Sequence, residues 1–344
     1  WLADGRAYGL GALGPAYRAS QSVRTLMNAD DPARANVKLS LGIVNTASRR
    51  NLPPHAVDIA PVISTWLTGI VARDGHFQQR YPLVLLPEYA GIIADRDGPL
   101  AGQIGAIWRQ SVEAVLLPGE AAVPFNLLAV TEPNGSPAIA PWIERYGLLP
   151  WLTRLLEVAV LPVWHLLVGH GIAVEAHAQN MVLTHRNGWP ERLILRDFHD
   201  SIEYSPEFLR EPAEEPPFFD LNPIFRDGAP NQYYWSDHLE ALRELVMDTL
   251  FIYNLTDLSD LLALAFGLPE MEFWGRVQRC LEGYARRETP GARLAALGTQ
   301  APEILTESLM REKLLRTEGE LHHAVPNILA DLSFVAREVD YAAY

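Results

Sequence analysis

A chain of 344 residues, 49% hydrophobic and 20% charged, has the composition of a globular protein with a sizeable core, in two domains or one large one. Its net charge of −14 argues against a nucleic-acid partner, because phosphate backbones are met by clustered lysine and arginine. One cysteine, Cys280, excludes an internal disulfide and any cysteine-ligated cluster and is compatible with a cytoplasmic location. No unbroken run of 18 apolar residues occurs, so no membrane span and no membrane partner are expected. No signal peptide is visible, and the sequence starts at Trp1.

The glycine-rich start, residues 1–17, reads as loops and short strands. Residues 18–28 bring Ser22, Arg24 and Thr25 into a tight group. Residues 37–44 are predicted as a strand: Val37, Leu39 and Leu41 alternate with Lys38, Ser40 and Gly42, the period of a half-buried strand with Lys38 on its polar face. Thr46 and Arg50 follow near its end. Basic residues here are almost all arginine, with Lys38 and Lys313 the only lysines. A compact ammonium is a usual point charge for phosphate, and the plain alternative is a solvated strand lysine. Residues 55–72 read as a helix, and 83–86, 91–94, 104–108 and 122–130 as strands. The segment 137–141 divides a first domain, 1–136, from a second, 137–344.

The second half is more helical. Residues 148–169 form a long apolar helix that leads into a β-hairpin with arms at 181–185 and 191–196. Asn187-Gly188 between the arms is a strong turn signal. With the turn centred on Gly188 and Trp189, Asn180 falls opposite Asp197, a pairing that places Cβ atoms about 4.5–5.5 Å apart. Glu175, His177 and Gln179 sit just before this open end. Hard oxygen ligands on a rigid hairpin suit a Mg²⁺ that carries nucleotide phosphates, since Mg²⁺ takes only one or two protein carboxylates. Arg196 and His199, in alternation with Asp197, face the other side and read as structural. Residues 205–230 are Pro-rich and acidic and read as an irregular loop. Ser236 caps a helix toward residue 252, and helices continue to about residue 319. His322-His323 reads as exposed surface rather than as a metal site.

Two phosphate-compatible clusters result. Ser22, Arg24, Thr25, Lys38 and Arg50 are cationic and hydroxylic; Glu175, His177, Gln179, Asn180 and Asp197 can hold a metal. Together they suggest ATP chemistry, and the lack of a GxxxxGK[ST] sequence argues against a P-loop NTPase. A kinase-like phosphotransferase carries a catalytic Asp a few residues before its metal-binding Asn. Here His177-Ala178-Gln179 occupies that place, which favours activation of a carboxylate, already a nucleophile, over that of a hydroxyl.

These motifs occur in a recognisable order. SVRT (22–25), KLSL with the later Thr46 and Arg50, PGEAAVPFNLLAV (118–130), PWIERYG (141–147), EAHAQN (175–180) and LRDFH (195–199) together resemble the NRPS-independent siderophore synthetases, the aerobactin-synthetase (IucA/IucC) family. The resemblance implies an α+β, cupped-hand architecture. Its β-rich fingers would span 1–136, and its mostly helical palm, carrying the hairpin, 137–344. The family's thumb and its upstream His-Pro motif have no counterpart among these residues. The implied reaction is attack of a substrate carboxylate on the α-phosphate of Mg-ATP, release of pyrophosphate, and capture of the acyl-adenylate by an amine, hydroxylamine or alcohol. Carried over by position, Ser22, Arg24, Thr25 and Lys38 contact ATP phosphates, and Gln179 helps to hold nucleotide or substrate. Thr46, Arg50 and His177 face the substrate carboxylate, with Arg50 also near the α-phosphate. Glu175, Asn180 and Asp197 lie around Mg²⁺. Lys38, Arg50 and His177 are then the catalytic set. Family substrates include citrate, a citrate monoamide, 2-oxoglutarate and an N-hydroxy-N-succinyl diamine, and the family habit is a homodimer. A siderophore-binding or ferric-reductase module is the other reading of the helical part, and a cluster-bearing reductase would need more cysteines than Cys280.

Overall fold

The computed structural model describes residues 1–20, 22, 24–45, 48–229, 232–315 and 321–330, so Thr46 lies outside the described residues. The fold is α+β. Its first part is built on an antiparallel five-stranded sheet in the order Tyr17–Ala19, Thr25–Asn28, Asn36–Leu39, Gly105–Arg109, Glu88–Ile93. The strand expected over 37–44 ends at Leu39, and its alternation runs in the opposite sense. Asn36 and Lys38 are buried while Val37 and Leu39 are only partly so. Lys38 is drawn inward because Asp197, from a distant segment, meets it there. A short hairpin, Val44–Asn45 with Ser48–Arg49, follows. The helix Pro54–Arg73 starts on a proline whose missing N–H costs nothing in the first turn. Its apolar face packs on Glu88–Ile93, and Gly91 permits the approach: a Cβ there would stand 2.5 Å from Val57 Cγ1.

The second sheet has four strands in the order Leu83–Leu85, Trp189–Leu195, Met181–Arg186, Ala121–Pro124, the first pair parallel and the others antiparallel. It therefore takes strands from both sides of residue 136. The strand expected over 122–130 is cut short at Pro124, which lacks a ladder donor and is tolerated because this strand is at the edge. Phe125–Ala129 winds into a 3₁₀ turn instead. Against this sheet lies the helix Leu148–His165, buried along most of its length, which widens into a π turn at Leu166–His170 and stops at Gly171 in the left-handed region, φ 81°.

That helix holds the hairpin by its turn. Asn187 and Gly188 both have positive φ, 52° and 93°, as a two-residue type I′ turn requires. Trp151 Nε1 donates to the Gly188 carbonyl at 2.9 Å and Arg154 Nε to that of Pro190 at 3.1 Å. The tighter turn and a bulge after Thr184 set Met181 opposite Leu195. By extension Asn180 meets Arg196, whose N–H donates to the Asn180 carbonyl at 3.2 Å. The expected pairing of Asn180 with Asp197 is thus off by one residue.

The remainder is largely helical. Leu239–Val246, the π segment Met247–Leu255 and Thr256–Phe266 run on from one another, followed by Glu270–Glu288. Ser236 is not the cap: the helix starts after His238, and Ser236 Oγ accepts from the His238 N–H instead. Where helices were expected to residue 319, Glu303–Glu307 pairs with His322–Pro326 around the short helix Leu309–Leu315. His322 bonds Glu244 at 2.6 Å and His323 bonds Ser308 at 2.6 Å. Among the described residues three helices, Pro54–Arg73, Leu148–His170 and Leu239–Phe266, are long and apolar enough to cross a bilayer by length and composition, although none is an unbroken apolar run. In the fold 56%, 78% and 50% of their apolar windows are buried inside the protein, so the core consumes much of that surface. One apolar cluster runs from Ile59 to Leu329.

The turn supplies a test. Gly188→Ala would place a Cβ 2.2 Å from the Trp142 ring at a left-handed position. The expected loss is about 2–4 kcal/mol, combining backbone strain with overpacking. A urea unfolding midpoint that does not move would contradict this account of the hairpin.

Candidate active site

Ten residues singled out from the sequence lie on one cavity of about 650 Å³: Ser22, Arg24, Thr25, Lys38, Arg50, Glu175, His177, Gln179, Asn180 and Asp197. The first five come from the five-stranded sheet and the loop beyond it, and the others from the hairpin and the residues flanking it. Thr25 and Lys38 are direct partners on adjacent strands. Arg24 Nη1 donates to the carbonyls of Arg50 at 3.2 Å and Asn51 at 3.0 Å, which fixes the segment carrying Arg50.

The two walls are joined by charge. Lys38 Nζ donates to Asp197 Oδ1 at 2.9 Å, and Arg109 Nη1 lies 2.7 Å from the same oxygen. Asp197 leaves the hairpin with φ 66°, an uncommon conformation for a residue with a side chain, and strand alternation ends with it. His199, fully buried, therefore does not face away as expected. Its Nδ1 donates to Glu88 at 2.8 Å and its Nε2 lies 2.9 Å from Asp200 and 3.3 Å from Lys38. Burial opposes a charge on His199, but Glu88 and Asp200 outweigh it and raise the imidazole to about 9. Burial likewise opposes ionisation of Asp197, yet Arg109, Lys38, Arg196 and His199 hold its carboxyl well below the ordinary range. Lys38, Arg109, Arg196 and His199 thus face Asp197, Glu88 and Asp200, leaving one positive charge in excess under the cavity, while Arg24 and Arg50 on its wall are matched by Glu175 and Glu307.

The hairpin side is ordered by its own hydrogen bonds. His177 Nδ1 accepts the N–H groups of Gln179 at 3.1 Å and Asn180 at 3.3 Å, so a neutral ring carries its proton on Nε2, 3.6 Å from Glu175 Oε1. Asn180 Nδ2 donates to Glu175 Oε2 at 3.2 Å, which leaves the amide oxygen as its ligand atom. Ser201 Oγ donates to the same Glu175 oxygen at 2.7 Å. Arg196 is a strut: Nε and Nη2 donate to the Gln179 carbonyl at 3.0 and 2.7 Å.

Glu88, Arg109, His199 and Asp200 were missed as members of the site. The available signal was a charged residue in each of two apolar strands, Glu88 and Arg109, which prove to be register partners.

Residues 1–129 match the IucA / IucC family, and residues 149–322 match a family described as ferric iron reductase FhuF-like transporter. The *Bacillus anthracis* citryl-spermidine/3,4-dihydroxybenzoyl-citryl-spermidine:spermidine ligase is 38% identical over 93% of this chain and 53% of its own length. The first part of this chain, residues 1–129, belongs to the IucA/IucC family. The *Escherichia coli* aerobactin synthase is 30% identical over 96% of the chain and 57% of its own length. The crystal structure of the petrobactin biosynthesis protein AsbB from *Bacillus anthracis* superposes with a TM-score of 0.89 at 37% identity, over 94% of this chain and 55% of that one. This chain thus spans about half the length of the curated relatives it matches.

The charge state of His199 can be tested through stability. Its pKa in the fold lies above the unfolded value of about 6.5. Its contribution is therefore complete below about 6.5 and lost as pH climbs through about 9. The urea midpoint of the wild type is expected to fall more steeply between pH 7 and roughly 9.5 than that of His199→Gln. Equal slopes would mean that His199 is not held protonated.

Proposed function

We propose that this chain forms the nucleotide- and substrate-binding part of an ATP-dependent carboxylate ligase of siderophore biosynthesis. The observation that carries the reading is the single cavity in which the cationic, hydroxyl-bearing wall meets the oxygen-rich end of the hairpin. Its volume falls in the range of small-molecule sites. In this reading Ser22, Arg24, Thr25 and Lys38 take phosphate oxygens through charge-assisted hydrogen bonds. Gln179 steadies nucleotide or substrate. Arg50 and the Nε2–H of His177 orient the substrate carboxylate toward the α-phosphorus, a role in which Thr46 is proposed to share. The carboxylate oxygen attacks, the bond to pyrophosphate breaks, and an acyl-adenylate results. An amine, hydroxylamine or alcohol then attacks the acyl carbon and AMP leaves. Lys38 and Arg50 stabilise the charge that builds on the phosphate, the preorganised electrostatics that lower such barriers most.

Mg²⁺ fits the donor set. Glu175 and Asp197 are the one or two carboxylates that Mg²⁺ accepts beside water and phosphate, and Asn180 turns its amide oxygen away from Glu175. Bound there, the ion would neutralise phosphate oxygens.

A citrate-derived carboxylate and a polyamine nucleophile are the substrate pair we favour. The *Bacillus anthracis* relative is named for citryl-spermidine and spermidine. The cavity also carries Glu307, an anionic group suited to a cationic amine. Residues 1–136 are read as fingers and 137–344 as palm, in a cytoplasmic enzyme. A homodimer is proposed on the exposed apolar residues Leu264, Met310 and Leu314 of the C-terminal helices. A monomer mass in sedimentation equilibrium at micromolar concentration would reject the dimer.

The decisive assay measures AMP and pyrophosphate formation by the protein at its full natural length, against a panel of carboxylates and polyamines. Lys38→Ala and Asp197→Ala are each expected to lower adenylation by about 100-fold or more, the scale of losing a transition-state donor. Near-normal pyrophosphate exchange in both variants would overturn the residue roles, and ADP as product would replace the ligase with a phosphotransferase.

A further inference from the structure

A second group of metal-ligating side chains surrounds Asp74, in a cavity that shares no lining residue with the active-site cleft. Asp74 Oδ2 lies 3.1 Å from His165 Nε2 and 2.8 Å from His170 Nε2, and the three atoms are all within 4.8 Å of one another. His76 stands beside them, its Nδ1 2.7 Å from Asp74 Oδ1 and its Nε2 2.9 Å from Glu288. Arg210 Nη1 approaches Asp74 Oδ2 at 3.6 Å from an exposed position.

We propose that Asp74, His165 and His170 bind a divalent transition-metal ion, Zn²⁺ first among them, with the fourth position open to the cavity for water or for His76. Ligand atoms about 2.0–2.2 Å from a tetrahedral Zn²⁺ stand about 3.3 Å apart. The two Nε2 atoms are already within a few tenths of an ångström of that separation from Asp74 Oδ2. The ion needs an outward shift of these side chains.

Local structure supports the convergence. His165 and His170 are five residues apart, which on an α-helix would point them about 140° away from each other. The π turn Leu166–His170 widens the helix so that both rings reach one carboxylate, and such turns recur at functional sites. Gly169 makes room for the His165 ring, since a Cβ there would stand 2.9 Å from its Cε1. The Tyr284 hydroxyl lies 2.8 Å from His165 Nδ1, an outer hydrogen bond of the kind that orients a ligating imidazole. Asp74, His76 and His170 line a cavity of about 390 Å³, which is the entry path. Asp74 follows the first long helix, and both histidines belong to the part matched by the second family. A bound ion would tie these segments together.

The plain alternative is a carboxylate that merely accepts hydrogen bonds from its histidines. Zn²⁺ titration of chelator-stripped protein, read by competition with a chromogenic chelator, separates the two. One ion per chain is expected, with a dissociation constant below about 1 µM, weakened at least about 100-fold in His170→Gln and about 10-fold in Tyr284→Phe. Co²⁺ loaded into the wild type is expected to show the intense visible bands of a tetrahedral site. Absence of a one-to-one ion, an affinity unchanged in His170→Gln, or a pale octahedral Co²⁺ spectrum would each overturn the proposal and leave a hydrogen-bonded cluster.

Discussion

The site hangs on one carboxylate. Asp197 receives Lys38 from one sheet strand and Arg109 from the next, both on the same oxygen and both nearly removed from water. Burying such charges is costly, and removing either partner would leave the other stranded. The arrangement persists because the groups answer one another: Glu88 and Asp200 hold His199, and Arg196 closes on the Gln179 carbonyl. The result is an electrostatic clasp between the five-stranded sheet and the hairpin, and the cleft is the space left above it.

The clasp would be of little use on a floppy support. The hairpin is pinned at its far end by a helix whose Trp151 and Arg154 donate to carbonyls at and just beyond the turn, and at its near end by the bonds among Glu175, His177 and Asn180. Between those ends it lies in the middle of a four-stranded sheet. Asp197 then breaks out of the strand in a left-handed conformation, the kind of local strain that persists where surrounding structure over-determines it. A rigid strand followed by a sharp exit aims the carboxylate back at Lys38.

Reading the residues in order recovered much of this. Short motifs with hydroxyl, cationic and amide groups stood out, and the described ones line a single cavity. The failures share a cause. A residue pattern presumes that a strand continues, that polar means exposed and that a hairpin pairs without a break from its expected centre. Lys38 breaks the second assumption because its acid partner, Asp197, lies 159 residues away. His199 breaks the first because alternation ends at Asp197. Asn180 breaks the third because the turn falls on Asn187-Gly188, one residue before the expected centre, and the bulge after Thr184 restores only part of that offset. The Asp74 cluster gave no signal at all, since its histidines are spaced for neither face of an ordinary helix.

The amino-acid sequence by itself determined the chemistry on offer: one cysteine, a lone strand lysine, an Asn-Gly turn and ordered motifs with the wording of a known family. Those are local properties, carried by residue type and spacing. Only the tertiary structure decided that Lys38 is buried, that Asp197 is shared, that Glu88, Arg109 and His199 belong beneath the cleft, and that a π turn gathers two histidines on Asp74. Each of these depends on contacts between segments far apart along the chain, where burial and neighbouring charge, rather than the residue's own preference, set its state.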